Sequence, residues 1–415
     1  MKGSDLKRIC LFTNEFPYGS WEPYLETEIK YYKEFDDIKI FSLQLREEHA
    51  KQYRDLNNDK IQVFPVYKAS NISYLLYAFV ALFDKNLYRE ISNLIKKKRF
   101  TFKRLVQLFV FISRSHYEAK KILDNFLKEE LDNSIFYSYR FEYQPYVSYI
   151  VKKKLGLDCK IVARAHGFDL YEENRPSKYI PLREILLDNI DYVFPCSDYG
   201  TNYLKEKFPT YKEKISTRFL GSLDYGIEDY KKSSELRLLS CSTVLPVKRL
   251  ELIVDALCKI DDRKIIWTHY GDGKDMDKIK KLVKNLPKNI QVNFKGNIPN
   301  DILLKEYKNT SYDWFVNVSS SEGIPVSIME AMSFGIPAIA TDVGGTSEIV
   351  NNENGFLLDG DITGDELSEV FRKVDGMPID NYIIYRNNAR ETWDIKYNSA
   401  KNYKKFTKEL TDLIN

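Results

Sequence analysis

Two glutamates, Glu322 and Glu330, stand with seven residues between them in the segment running from Ser319 to Gly335. A strand-like run precedes the segment and another, Ile336 to Thr341, follows it. Pro325 suits the first position of a helix. That makes Ile324 the N-cap, and isoleucine has no side-chain oxygen to accept a hydrogen bond. The N–H groups of Val326 and Ser327 are then left without a local side-chain partner. A helix start with free donors and the positive end of the dipole is an anion site. Glu322 would sit on the loop at its mouth and Glu330 about one and a half turns inside. One carboxylate can meet a sugar while the other reaches hydroxyls farther along the same ligand. The plainer alternative is a strand–loop–helix unit with two solvated glutamates.

His166 follows the apolar run Lys160 to Ala165 and precedes Gly167. Carboxyl ends of parallel strands face the ligand crevice of α/β folds, so this ring could hydrogen-bond a ligand; a lone histidine is otherwise a structural hydrogen-bonder. His49, His116 and His269 have no such context. Lys248 stands where a helix is expected to begin, and a positive charge there works against the dipole. That small cost favours a functional lysine over a merely solvated one.

Two look-alikes are set aside. Asp359-Gly360-Asp361 has the form of a metal-binding DxD but reads as a turn between strand and helix. Gly271-Asp272-Gly273 is short of a dinucleotide fingerprint. No His/Cys/Asp cluster with ligand spacing is present, so no metal is expected. The five cysteines, scattered without a CxxC pair, read as reduced thiols of a cytoplasmic protein.

The elements that must position these residues are short apolar runs alternating with longer helical patterns. Strand candidates are Arg8–Thr13, Ile38–Leu43, Ile61–Val66, Ile135–Ser138, Lys160–Ala165, Tyr192–Pro195 and Ile215–Phe219. They continue with Leu238–Ser242, Lys264–Thr268, Ile290–Phe294, Trp314–Val318, Ala338–Ala340 and Phe356–Leu358. Nearly all-apolar runs of this length are strands covered on both faces, hence parallel sheets. Gly221 to Ser234 lacks periodicity and is the best linker. The reading is therefore α/β, two doubly wound Rossmann-like domains facing a central cleft. Residues 1–222 form the first, with an all-helical block over 72–123 (Tyr74–Phe83, Tyr88–Lys98 and Leu105–Leu123). Residues 235–397 form the second. Residues 398–415 form a helix with Tyr403, Phe406, Leu410 and Leu413 on one face, docked on a neighbour, the first domain being a candidate. No internal sequence repeat is visible.

Composition is that of a globular chain: 415 residues, 43% hydrophobic, 30% charged. A net charge of only +3 gives no field for nucleic acid. The longest apolar candidate, Ile72 to Phe83, is too short to span a membrane. The first residues lack the apolar core of a signal peptide. Lys96 to Arg104 holds six cations in nine residues and no acid. It is either a solvated helix end or a surface for anionic lipid, which would place the protein peripherally on the inner face of a membrane.

Taken together these segments resemble the retaining glycosyltransferases of family 4. The likeness rests on Glu322 and Glu330, which match its E-x7-E motif. It extends to Ala331–Pro337, Gly344–Val350, Phe16-Pro17-Tyr18-Gly19-Ser20, Arg164–Asp169 and Pro246-Val247-Lys248-Arg249. The resemblance implies the GT-B fold and assigns roles. Glu330 would bind the ribose of a nucleotide-diphospho-sugar. Glu322, Gly323, Ile324 and Pro325 would hold the donor sugar, and the N–H groups of Val326 and Ser327 the diphosphate. Lys248 would neutralise the leaving diphosphate, and Gly19 would let its loop approach the phosphates, unless it is a simple turn. His166 would hydrogen-bond the sugar, and the base would lie near Lys295, Gly296, Asn297 and Ile298. Many family members carry an arginine where this chain has Thr243; Arg249 or Thr243 itself would take its place at the donor.

The resemblance implies a hexosyltransferase with no cofactor, taking a UDP-sugar ahead of a GDP-sugar. The product would be an α-linked sugar on a saccharide or lipid-linked acceptor in surface polysaccharide or glycolipid synthesis. Transfer to a protein side chain and a non-catalytic sugar-nucleotide-binding partner subunit are the alternatives.

Overall fold

The computed structural model describes residues 6–414. The chain divides into two compact units. The first runs to Arg218 and takes back the chain from Tyr403 onward, and the second spans Phe219–Asn402.

The first unit contains β1 (Arg8–Thr13), β2 (Asp37–Leu45), β3 (Ile61–Tyr67), β4 (Ser134–Ser138), β5 (Lys160–Ala165) and β6 (Tyr192–Pro195). They form one parallel sheet in the order β3-β2-β1-β4-β5-β6. Ile9 of β1 lies in register with Ile38 of β2 and Ile135 of β4. The two-residue period of a strand sends neighbours to opposite faces. Accordingly Ile9 and Leu11 join one core with Ile38, Ile40, Ile135 and Val162. Cys10 and Phe12 join another with Phe41, Phe136, Ile161 and Val193. Both faces are apolar because both are covered.

The second unit repeats the plan with β7 (Leu236–Cys241), β8 (Ile265–Tyr270), β9 (Ile290–Gly296), β10 (Trp314–Asn317), β11 (Ala338–Thr341) and β12 (Gly355–Leu358). Its order is β12-β11-β10-β7-β8-β9. Counted within its own unit, each sheet reads third, second, first, fourth, fifth, sixth, the doubly wound order of nucleotide-binding folds. The sequence shows no repeat, yet the topology is duplicated.

The helical block is Asn71–Leu82, Lys85–Lys96 and Phe102–Leu123. Each start is capped by an oxygen, from Ser70, Asp84 and Thr101, accepting from Ser73, Asn86 and Arg104 N–H groups. The stretch Ile215–Phe219, expected as a strand, is not one. It hangs on the edge of β6 by a single bridge, Val193 to Ile215, and the Ser216 and Arg218 N–H groups at 3.2 and 2.9 Å from the Val193 and Pro195 carbonyls. The final helix, Ser399–Asp412, contributes its residues from Tyr403 onward to the first unit. Its Phe406 and Leu410 complete the core that contains Ile9 and Leu11. Among the described residues no helix is long and apolar enough to cross a membrane.

A charge pair is buried in that core. Arg164 lies 3.1 Å from Glu28, both fully buried. Tyr32 and Tyr137 hydroxyls donate to Glu28 at 2.8 and 3.0 Å. Arg164 donates to the Tyr137 hydroxyl and to the Arg218 carbonyl. Its guanidinium also stacks 4.5 Å from the Phe406 ring centre. Removing one member of such a pair leaves the other buried and uncompensated, at about 3–5 kcal/mol. Glu28→Gln should therefore lower the stability of the first unit by that order in urea unfolding. A loss under about 1 kcal/mol would mean that Arg164 is rehydrated cheaply, contrary to its burial.

Candidate active site

The loop carrying Glu322 follows β10 and is held from four sides. Arg249 donates to the Val318 and Ser319 carbonyls at 2.6 and 3.2 Å. The Ser320 N–H meets the Val247 carbonyl at 2.8 Å, and the Gly345 N–H meets that of Gly323 at 2.9 Å. Asn317 accepts from the Ser319 N–H and donates to Glu322 at 3.2 Å. Gly344 has a positive φ of 58°, and a Cβ there would stand 1.9 Å from the Glu322 carbonyl oxygen. Only glycine allows that approach.

Glu322 and Lys248 are brought together: Nζ donates to Oε1 at 2.6 Å. Lys248 ends a short 3₁₀ turn, Pro246–Lys248, ahead of the helix Leu250–Cys258. Arg249, in left-handed conformation, starts that helix. Arg249, the candidate second phosphate cation, spends Nε and one terminal nitrogen on main-chain carbonyls. Thr243 is exposed on the loop after β7, where Val244 N–H bonds to the Asp272 carbonyl at 3.0 Å. The Gly271-Asp272-Gly273 turn thus packs on that loop.

The helix behind the loop is Val326–Ser333, and its N-cap is Pro325, not Ile324. Pro325 has an extended ψ of 98°, so the first helical residue is one later than expected. Proline offers no capping oxygen either, and no side chain caps the start. Glu330 lies on this helix, buried. Asn300 donates to it at 2.7 Å. Asn300 begins the next helix after the Lys295–Ile298 stretch, so it ties the loop expected to hold the base to the carboxylate expected to hold the ribose. Gly296 ends β9 at φ 68°, its carbonyl accepting from the Gly271 N–H. Burial pushes the Glu330 carboxyl up to about 7, with Asn300 pulling the other way. Beside it, burial and the Glu330 charge push the Cys241 thiol up to about 12.

Asp359 and Asp361 form the expected turn, the Asp361 N–H bonding to Asp359 Oδ1 at 2.9 Å. Among the described residues no group of three His, Cys, Asp or Glu could hold a metal ion.

Gly19 and His166 belong to the first unit. Gly19 has φ 60°, and a Cβ there would stand 3.1 Å from the His49 ring, so the turn itself requires glycine. Glu22, which the sequence did not single out, organises that loop by accepting from the Asn14 and Phe16 N–H groups. Glu22 also pairs with Arg140 at 3.5 Å. His166 packs on Tyr139 with ring centres 4.8 Å apart. Neither of its ring nitrogens has a hydrogen-bond partner among the described residues. Burial and the guanidiniums of Arg140 and Arg164 hold its pKa well below the usual histidine value. A neutral ring with one donor and one acceptor suits a hydrogen bond to a hydroxyl better than proton abstraction.

The cation run is also partly committed. Lys97 pairs with Glu184 and Arg99 with Glu172, at 2.8 and 2.9 Å. Arg104 donates to the Ser177 carbonyl. Of the six cations between Lys96 and Arg104, the fold uses three internally.

Two parallel-sheet units of one strand order, the second with polar side chains gathered at the carboxyl ends of its strands, define the GT-B fold. Residues 227–391, within the second unit, match the family model for glycosyl transferases group 1. The chain is similar to N-acetyl-alpha-D-glucosaminyl L-malate synthase of Bacillus anthracis, at 29% identity over 239 residues, 52% of this chain and 59% of that protein. It is similar to the O-antigen biosynthesis glycosyltransferase WbnH of Escherichia coli, at 28% over 240 residues, 57% of this chain and 65% of that one. The chain thus spans less than two thirds of the length of these relatives. Among solved structures, Anabaena Alr3699/HepE in complex with UDP and glucose superposes with a TM-score of 0.67 and 16% identity, covering 98% of this chain and 100% of that one.

The raised Glu330 value has a definite sign. The folded chain holds this proton more tightly than the unfolded chain, whose value is 4.5. The stability it contributes is complete below about pH 4.5 and is lost as pH rises through about 7. In calorimetry across that window the second unit should lose on the order of 3 kcal/mol from this group. Glu330→Gln cannot ionise and should flatten the slope; an unchanged slope would assign the titration elsewhere.

Proposed function

We propose that the protein transfers a sugar from a nucleotide-diphospho-sugar, a UDP-sugar ahead of a GDP-sugar, with retention of configuration. The acceptor is a saccharide or lipid-linked intermediate of surface polysaccharide or glycolipid synthesis, and the product carries an α-linkage. The observation that carries this reading is the pairing of Lys248 with Glu322, on the loop before the uncapped helix start, with Glu330 farther along that helix and Asn300, at the start of another helix, bonded to it.

The chemistry follows from these groups. The diphosphate rests on the N–H groups of Val326 and Ser327, at the positive end of the helix dipole. Lys248 then exchanges its carboxylate partner for the phosphate as charge develops on the leaving group. Glu322, released, accepts from sugar hydroxyls beside the Gly323–Pro325 backbone. Glu330 accepts from the ribose diol, with Asn300 fixing its rotamer. His166 supplies a neutral hydrogen bond to the sugar, and Gly19 brings its loop to the phosphates. The C1–O bond to the diphosphate breaks as the acceptor oxygen bonds to C1 on the same face. The acceptor proton passes to the departing phosphate oxygen. No metal is required, because Lys248 and the helix start carry the charge.

The reading is tested by thermal shift with UDP-, GDP-, ADP- and dTDP-sugars, since a ligand at about a hundred times its dissociation constant stabilises by roughly 2.7 kcal/mol. A UDP-sugar should stabilise and be turned over or slowly hydrolysed; no response to any of the four would overturn the donor assignment. Glu330→Ala should weaken UDP binding by about 1–3 kcal/mol in titration calorimetry, the usual cost of lost hydrogen bonds. Unchanged affinity would remove Glu330 from the ribose. Activity should also persist in excess EDTA; loss of activity that Mg²⁺ restores would return Asp359 and Asp361 to the site.

A further inference from the structure

The helical block of the first unit turns apolar side chains outward. From Asn71 to Phe83 there is no charged residue. Ile72, Leu76, Phe79 and Phe83 are 73, 61, 62 and 89% exposed. At about 100° per residue these four and Val80 share one arc of the helix. The opposite arc carries the buried Ala81 and the half-buried Tyr77, whose ring meets Tyr117 of the helix Phe102–Leu123 at 5.5 Å. That longer helix does the same in its first turns. Phe102, Val106 and Val110 are exposed, while Leu108, Phe111 and Ile112 are buried on the other side.

Charge over the block is one-sided. Residues 68–116 contain ten Lys and Arg and two acids, Asp84 and Glu90. Both acids are engaged. Asp84 takes bonds from His116 and Tyr146, and buried Glu90 takes them from Tyr179 and Leu182. Arg89, Lys97, Arg99, Arg104 and Arg114 are committed to partners within the unit. Lys68, Lys85, Lys96, Lys98 and Lys103 have no partner among the described residues.

We infer that the helix Asn71–Leu82 with Phe83, supported by Phe102 and these lysines, docks on the surface of an anionic lipid bilayer. A convex, uncharged arc needs no matching groove if the apolar phase is fluid, and the lysines answer anionic headgroups. A second copy would bring lysines against lysines, with no free acid in 68–116 to answer them. The inference lies in the first unit and goes beyond the donor chemistry of the second.

The test is sedimentation of the full chain with phosphatidylcholine vesicles, with and without phosphatidylglycerol. The wild type should pellet only with the anionic vesicles. Lys96→Ser, Lys98→Ser and Lys103→Ser together should weaken partitioning about a hundredfold, at about fivefold per charge near the surface. Phe79→Ser with Phe83→Ser should abolish pelleting at low salt as well, separating apolar insertion from simple charge attraction. Stabilisation by UDP should be unchanged in every variant, which distinguishes failure here from failure of the donor reading. Should the double serine variant misfold, Phe83→Trp supplies a second readout, a blue shift of its emission on adding anionic vesicles. Wild-type protein left in the supernatant at low salt would overturn the inference. So would pelleting indifferent to both phenylalanines, or a dimer in solution dispersed by the phenylalanine changes.

Discussion

Parallel strands cannot be joined by hairpins, because each must be re-entered from the same end. Every connection therefore crosses over the sheet, covers one of its faces, and starts from the carboxyl edge. In the second unit this gathers the loop after β7 with Lys248, the loop after β9 with Asn297, and the loop after β10 with Glu322. In the first it does the same for Gly19 after β1 and His166 after β5. Burial of both sheet faces and convergence of the polar residues are thus one constraint seen twice.

The convergence alone would leave a floppy loop at Glu322. Its shape comes from main-chain hydrogen bonds and from a cation turned inward. Arg249 illustrates how a charged residue beside a functional one can act on it indirectly. Its guanidinium fixes the carbonyls of Val318 and Ser319, and Lys248, its neighbour in sequence, faces Glu322. The close seat of Gly344 on the Glu322 carbonyl adds a steric stop on the other side.

Much of the fold was legible because its signal is local. Apolar runs such as Ile9–Phe12 and Ile161–Ala163 can only be strands buried on two sides, and they are. Ile215–Phe219 misled because β-branched composition does not supply a partner, and this segment lies at an edge. The site was legible where backbone chemistry decides, as at the uncapped start of Val326–Ser333. It was not legible where pairing across distant segments decides. Nothing in the sequence joins Asn300 to Glu330, which lie thirty residues apart. A shared edge of the sheet could have suggested it: Asn300 follows β9 within a few residues, and Glu330 lies on the helix after β10. The partners of the cation run were hidden for the same reason, since Glu172 and Glu184, which neutralise part of it, lie far along the chain.

The route of the chain has its own consequence for assembly. The path leaves the first unit at Arg218 and re-enters it at Tyr403, so the second unit is an insertion within the first. During synthesis the strands of the first unit emerge early, but the side of the sheet lined by Ile9, Leu11 and Tyr137 lacks Phe406 and Leu410 until the final helix is made. The second unit carries all of its own strands and can close its core before that moment. The unit whose strands are made first is thereby the one whose core is completed last.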